Sequence, residues 1–208
     1  FVTHGKKIVA MAFNYHQPHG NTDEPCFFLK PTTTYTTGPD ACVECPDGTT
    51  VLHEVELGVV VGCRARNIEC TDAFDYIAGY CLALDMTAGD LVKTARKNGI
   101  PWTAAKSYDT FTPVSEFIPK DAVSDPDNLE LCLTVNGEIK QCGSTKDMVL
   151  RVSEIVEMVS KVMTLEPGDV ILTGTPLGTG PVYPGNVIEA TMSEPARGEI
   201  ATVKVPVV

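Results

Sequence analysis

Fifteen prolines and seventeen glycines cut this 208-residue chain into short pieces, and that punctuation limits what it can build. Proline neither continues a helix nor donates to a sheet ladder, and glycine weakens the interior of both. What remains between them are strand-sized runs: Ile8–Phe13, Cys26–Leu29, Val55–Val61, Ile77–Leu84, Leu129–Val135, Val170–Thr173, Val187–Ala190 and Ile200–Val205. One stretch has clear helical periodicity, with Val152, Ile155, Val156, Val159 and Met163 recurring at i, i+3, i+4, i+7 and i+11 before Pro167-Gly168 stops it. A shorter helix is predicted over Asp90–Lys97, ended by Gly99 ahead of Pro101. Many short strands with two helices read as an α+β fold, a mixed sheet folded on itself. The length suits one domain over residues 1–208.

Charge narrows the partners. Twenty-seven acidic against sixteen basic residues leave a formal −11, which repels phosphate backbones and acidic membrane surfaces, so neither nucleic acid nor membrane is expected as a partner. An anionic small substrate stays possible, because a bound cation inverts the charge of one pocket. No apolar run approaches the roughly 18 residues a membrane span needs. The chain begins at Phe1 rather than Met, so a trimmed N-terminus is expected, with an intracellular site in the cytoplasm or mitochondrion. Of eight cysteines, Cys26, Cys63, Cys81 and Cys132 lie in apolar strands, and the expectation is mostly reduced thiols. Cys42 and Cys45 have zinc-knuckle spacing but no second half-site follows, which favours loop thiols over a zinc module completed by His53.

The strongest chemical signal is His53-Glu54-Val55-Glu56-Leu57-Gly58, which runs into Val59-Val60-Val61. Residues two apart in a strand share a face, so Glu54 and Glu56 point together while His53, Val55 and Leu57 point away. Two buried, ionised carboxylates would repel each other, and a divalent cation resolves that conflict. Oxygen ligands select Mg²⁺, Mn²⁺ or Ca²⁺ over zinc. The alternative is a solvent-facing strand side carrying two glutamates. Asp85, closing Ile77–Leu84, is either a helix N-cap or the third carboxylate of such a site. Lys106 is either a snorkelling surface residue or a cation facing the metal pocket. The segment Thr173-Gly174-Thr175-Pro176-Leu177-Gly178-Thr179-Gly180 lacks a P-loop ending. It reads as a plain turn or as backbone N–H groups that hold a carboxylate.

These pieces occur in a recognisable order: Asn14-Tyr15, Glu24-Pro25-Cys26-Phe27-Phe28-Leu29-Lys30-Pro31, His53 to Gly58, Gly79-Tyr80, Leu84-Asp85-Met86-Thr87-Ala88, Ala105-Lys106-Ser107, and Gly168 to Pro176. From about Lys6 to Val205 the chain resembles the fumarylacetoacetate hydrolase family, especially its short acylpyruvate hydrolases and oxaloacetate decarboxylases. The resemblance implies a mixed β-sandwich or β-roll with few helices, a homodimer, and Mg²⁺ or Mn²⁺ held by Glu54, Glu56 and Asp85. It implies that the metal chelates the carboxylate and 2-oxo group of the substrate, that Lys106 supports an enolate, and that Thr175 helps hold the substrate carboxylate, with the Gly174 N–H the neighbouring candidate from the turn itself. It also implies a lid histidine that activates water through a glutamate three residues on.

The chain departs from that pattern in places. No glutamate lies three residues after His16 or His19. His19, deeper in the lid beside Gly20, is the candidate for proton transfer, and His16 is expected to be structural. Gly89 and Val92 stand where the family usually has an arginine and a glutamine, and Phe13 replaces a common arginine. The reading is therefore a divalent-metal enzyme acting on a 2-oxo acid, by acylpyruvate C–C hydrolysis or oxaloacetate decarboxylation. An isomerase of the 2-hydroxyhepta-2,4-diene-1,7-dioate type is the nearest alternative, and a catalytically impaired metal- and oxo-acid-binding protein is the alternative of another class.

Overall fold

The computed structural model describes residues 1–16 and 23–208. Its centre is the strand Val55–Val61, in which all seven residues are buried. A strand reads as an unbroken apolar run only when both its faces are covered. Here it lies inside a six-stranded sheet ordered Cys26–Lys30, Ile8–Ala12, Val170–Leu172, Val55–Val61, Ile77–Leu84, Ile118–Pro119. The Ile8–Ala12 and Val170–Leu172 strands pair parallel and the other neighbours antiparallel, so the sheet is mixed.

On one face Leu57, Leu82 and Leu84 pack with Leu131, Leu133 and Met192 of a second, four-stranded antiparallel sheet. Behind the other face lies a smaller cluster in which Val60 meets Ile8, Cys81 and Val170. Gly58 permits that packing, since a Cβ there would stand 2.5 Å from the Cys81 sulfur. The result is a strand-rich α+β fold with few helices, two sheets face to face around one core.

The second sheet runs Glu138–Ser144, Glu130–Val135, Val187–Glu194, Gly198–Pro206. Its edge strand, Glu138–Ser144, has no apolar alternation and was not among the expected runs; most of its side chains face solvent. The signal for it is Asn136-Gly137, both at positive φ (52° and 81°), the pair that closes a two-residue hairpin. Most of the cysteines are free, as expected, and the hairpin corrects the reading for Cys132. Cys132 and Cys142 face each other in register, Cα atoms 4.0 Å apart, and form a disulfide, while the other six cysteines are free.

The helices start and stop for local reasons. Gly89–Asn98 ends where Gly99 turns left-handed at φ 64°. Val152–Val162 buries Val152, Ile155, Val156 and Val159; at its start Glu154 accepts the Arg151 N–H (2.7 Å) and Asp127 the Val152 N–H (3.1 Å). Among the described residues no helix is long and apolar enough to cross a membrane.

Asp169 fastens the chain start to this frame. Its fully buried carboxylate accepts the backbone N–H groups of Lys6 (2.9 Å), Lys7 (3.2 Å) and Glu166 (2.9 Å), and pairs with the Lys7 ammonium. Asp169→Ala would leave those part-buried N–H groups without their acceptor and the Lys7 ammonium without its counter-charge, so we expect a loss of about 2 kcal/mol. Urea denaturation checks this; a midpoint equal to that of the wild type would contradict it.

Candidate active site

Strand alternation turns Glu54 and Glu56 to one side, and the Asp85 N–H donates to the Glu54 carbonyl (2.8 Å), which brings the end of the neighbouring strand alongside. Oxygens of Glu54, Glu56 and Asp85 all lie within 4.8 Å of one another. Glu56 and Asp85 are completely buried, so the cluster is not a solvated strand face. Asp85 is not a helix cap either, because its carboxylate is taken by two lysines. Lys106 Nζ is 2.6 Å from Asp85 Oδ2 and 3.0 Å from Glu54 Oε2; Lys30 Nζ is 2.5 Å from Asp85 Oδ1 and donates to the Phe111 carbonyl (2.7 Å). Both lysines are buried. Lys30 was legible only as part of a motif, with no role attached.

Counting partners oxygen by oxygen isolates one atom. Glu54 Oε1 accepts from the Thr87 hydroxyl (2.8 Å) and Oε2 from Lys106; both Asp85 oxygens face ammonium groups; Glu56 Oε2 accepts the Gly174 N–H (2.7 Å). Glu56 Oε1 is buried with no hydrogen-bond partner among the described residues. Burial, then the nearby Asp85 and Glu54 charges, push the Glu56 carboxyl well above its ordinary range against the pull of Lys106. Burial also pushes Asp85 upward, but Lys106 and Lys30 outweigh it and hold Asp85 below its usual value. Lys106 is pushed up: burial opposes its charge, and Asp85 and Glu54 more than compensate. Lys30 is pulled down, mainly by burial. A carboxyl with an orphaned oxygen beside two others is a hard-oxygen donor set that suits Mg²⁺ or Mn²⁺, and these residues fit such an ion.

The Thr173–Thr175 turn closes the site. Gly174 sits at φ 95°, where a Cβ would also come within 3.1 Å of the Asn14 Cβ. Its N–H, expected to hold a substrate carboxylate, donates here to Glu56 Oε2. The Thr175 hydroxyl donates to the Val55 carbonyl (2.8 Å) and accepts from Gln141 Nε2 (2.8 Å). Gln141 is a residue that sequence reasoning missed. Its Nε2 also donates to the Pro176 carbonyl (2.8 Å), and its Oε1 accepts from Val55 N–H (3.2 Å) and His53 Nδ1 (2.9 Å). His53 is buried, and burial pulls its pKa down despite the Gln141 bond. Among the described residues His53 does not gather with Cys42 and Cys45 into a ligand group. His16 is exposed, with its N–H on the Asp147 carbonyl (2.9 Å), and the His19 expectation lies outside the described residues.

The cluster reaches a cavity of about 340 Å³ through Glu54 and Lys106, which line it together with Thr175 and the contiguous rings of Phe13, Trp102 and Phe28; Glu56 and Asp85 lie behind that lining. Residues 3–208 match the family described as fumarylacetoacetate (FAA) hydrolase C-terminal. The chain belongs to the fumarylacetoacetate hydrolase family. It is 49% identical over 191 residues to the mitochondrial oxaloacetate decarboxylase of Dictyostelium discoideum, covering 89% of this chain and 88% of that protein. To a mitochondrial oxaloacetate tautomerase of Arabidopsis thaliana it is 50% identical over 192 residues, covering 89% and 86%. The fumarylpyruvate hydrolase of Pseudomonas aeruginosa, solved in complex with Mn²⁺ and pyruvate, superposes with a TM-score of 0.88 at 29% identity, over 98% of this chain and 90% of that one. Members of the fumarylacetoacetate hydrolase family to which this chain is similar are thus enzymes, and one of them holds Mn²⁺.

Glu56 links metal binding to pH. With its pKa raised, folded Glu56 keeps a proton at pH values where the unfolded chain has released it, so metal-free stability falls as pH rises above the ordinary glutamate range. A cation needs the ionised form, so its affinity should rise with pH over the same interval. We expect metal-free Glu56→Gln to melt at or above the wild-type temperature at pH 8, and Mn²⁺ to raise the melting temperature of the wild type alone. Scanning calorimetry decides it, and an equal Mn²⁺ effect on both proteins would remove Glu56 from the ligand set.

Proposed function

We propose that the chain is a Mg²⁺- or Mn²⁺-dependent enzyme acting on oxaloacetate or a closely related 2-oxo acid. The observation that carries this reading is the Glu54–Glu56–Asp85 cluster, with Glu56 and Asp85 buried and with the half-buried Glu54 and the buried Lys106 lining an open cavity. Three carboxylates face two ammonium groups, so a divalent ion leaves the centre net positive and ready for an acid substrate. When bound, the ion supplies Lewis-acid stabilisation of the charge that develops next to the substrate carboxylate. Lys106 adds a fixed cation at the cavity floor, one that needs no reorganisation as the enolate forms. Lys30 keeps Asp85 ionised from behind, and Gln141 fixes the Thr175 side chain in the turn that walls the cavity.

Decarboxylation and keto–enol isomerisation of oxaloacetate need no attacking water, whereas acylpyruvate hydrolysis needs a base to activate one. His19 is our candidate for that base, without a glutamate three residues on to orient it, and so we place oxaloacetate chemistry ahead of hydrolysis. The tautomerase name of the Arabidopsis relative supports the isomerising branch and the Dictyostelium name the decarboxylating one. The same names support a mitochondrial location for this chain. The homodimer belongs to the proposal as well, and light scattering tests it.

The test is a panel of oxaloacetate, acetylpyruvate and 2-hydroxyhepta-2,4-diene-1,7-dioate with Mg²⁺, Mn²⁺ or EDTA. Turnover of oxaloacetate that vanishes in EDTA is the expected result, and metal-independent turnover would overturn the reading. Lys106→Met should lower kcat about a hundredfold and change KM far less, since its charge matters most in the transition state. A variant with wild-type kcat would place Lys106 outside the chemistry.

A further inference from the structure

One wall of the cavity carries a cation at each end. Lys106 Nζ stands 4.9 Å from the Phe28 ring centre, Phe28 is 5.5 Å from Trp102, Trp102 meets Phe13 edge-on at 5.8 Å, and the Arg96 guanidinium lies 4.8 Å over Phe13 and 5.9 Å from Trp102. Among the described residues lining the cavity, Lys106 and Arg96 are the basic ones. Lys106 is committed to Glu54 and Asp85. Arg96 has only a loose claim on it: an ion pair with Asp23 at 3.3 Å in which both side chains are half exposed. Pairs of that kind contribute little, so an incoming carboxylate can replace Asp23 at small cost.

The backbone under this arrangement is strained. Phe13 sits at φ 62°, a left-handed conformation unusual for a bulky side chain, and such strain persists where the surroundings over-determine it. What it secures here is a ring under Arg96 and against Trp102. The ring contacts hold the guanidinium over Phe13, and the group engaged by the exposed Asp23 pair is the one that can offer a carboxylate a forked hydrogen bond once Asp23 is displaced. A chain with a formal −11 would otherwise repel a second negative group.

We propose that Arg96 binds the carboxylate at the far end of a dicarboxylic 2-oxo acid, whose 2-oxo acid end lies on the Glu54–Lys106 floor. This rests on the oxo-acid reading above and names the residue that sets its preference for diacids.

Trp102 is the single tryptophan of the chain and touches this wall, so its fluorescence reports occupancy without turnover. The Mn²⁺-loaded full chain is titrated with 2-oxoglutarate and with 2-oxopentanoate, five-carbon acids that differ in having a carboxylate or a methyl group at the far end. The wild type should bind the diacid at least about tenfold more tightly. Arg96→Gln should abolish that preference and leave the monoacid within about twofold of wild type, and Arg96→Lys should recover only part of it, because the planar fork is lost. Equal weakening of both acids in Arg96→Gln, or no change in either, overturns the role of Arg96 alone. Binding of neither acid by the wild type overturns the oxo-acid reading and this inference with it.

Discussion

Everything at the site depends on Asp85 being held ionised in the protein interior. A lone buried carboxylate would take up a proton rather than bear the loss of hydration. Two lysines within hydrogen-bond distance, one per oxygen, prevent that. Each is itself buried and draws its charge from the same contact, so neither side of the arrangement is stable without the other. The six-stranded sheet supplies the rigidity: Lys30 ends one strand, Asp85 follows another, and Glu56 lies in the doubly covered strand between the sheet's two apolar faces. Glu56 is the group left in deficit. Burial first, and then the Asp85 and Glu54 charges, raise its pKa, and one of its oxygens has no hydrogen-bond partner among the described residues.

That division explains what the sequence could convey. Alternation within His53–Gly58 gives the shared face of Glu54 and Glu56, and the apolar run before Asp85 gives its place at a strand end, because both are local consequences of strand geometry. Which lysine faces which oxygen is set by strand pairing far apart in sequence: Lys30 reaches Asp85 across 55 residues and Lys106 across 21. Gly174 shows the same limit. A glycine in a turn was legible, but whether its N–H serves a ligand or Glu56 depends on a contact spanning 118 residues.

The four-stranded sheet was harder to read for a different reason. Its edge strand is polar and exposed, so hydrophobic periodicity is silent there, and only the Asn136-Gly137 turn announces it. With that strand unrecognised, Gln141 had no address, although it is the amide that ties His53, Val55, Thr175 and Pro176 together. The Cys132–Cys142 bond was lost through the same gap, since its two residues are opposed only once the hairpin register is known. The strands of the six-stranded core were found nearly whole apart from the short Ile118–Pro119 edge, and Val187–Glu194 in its first half, because burial writes itself into composition; an edge strand has no such constraint.

The cavity divides the work of recognition between two kinds of charge. At its floor the charges are buried, mutually compensated and fixed by the sheet, which suits groups that must stabilise a developing negative charge without moving. At its mouth Arg96 and Asp23 are half exposed and weakly paired, and the Arg96 guanidinium is oriented by stacking rather than by burial. Desolvated floor contacts resist exchange, while the rim pair gives way to a better-placed carboxylate, so the two ends of the cavity can treat the two ends of a substrate differently. An aromatic wall of Phe28, Trp102 and Phe13 joins the two, and the strained Phe13 is part of what keeps that wall in register with the cation it carries.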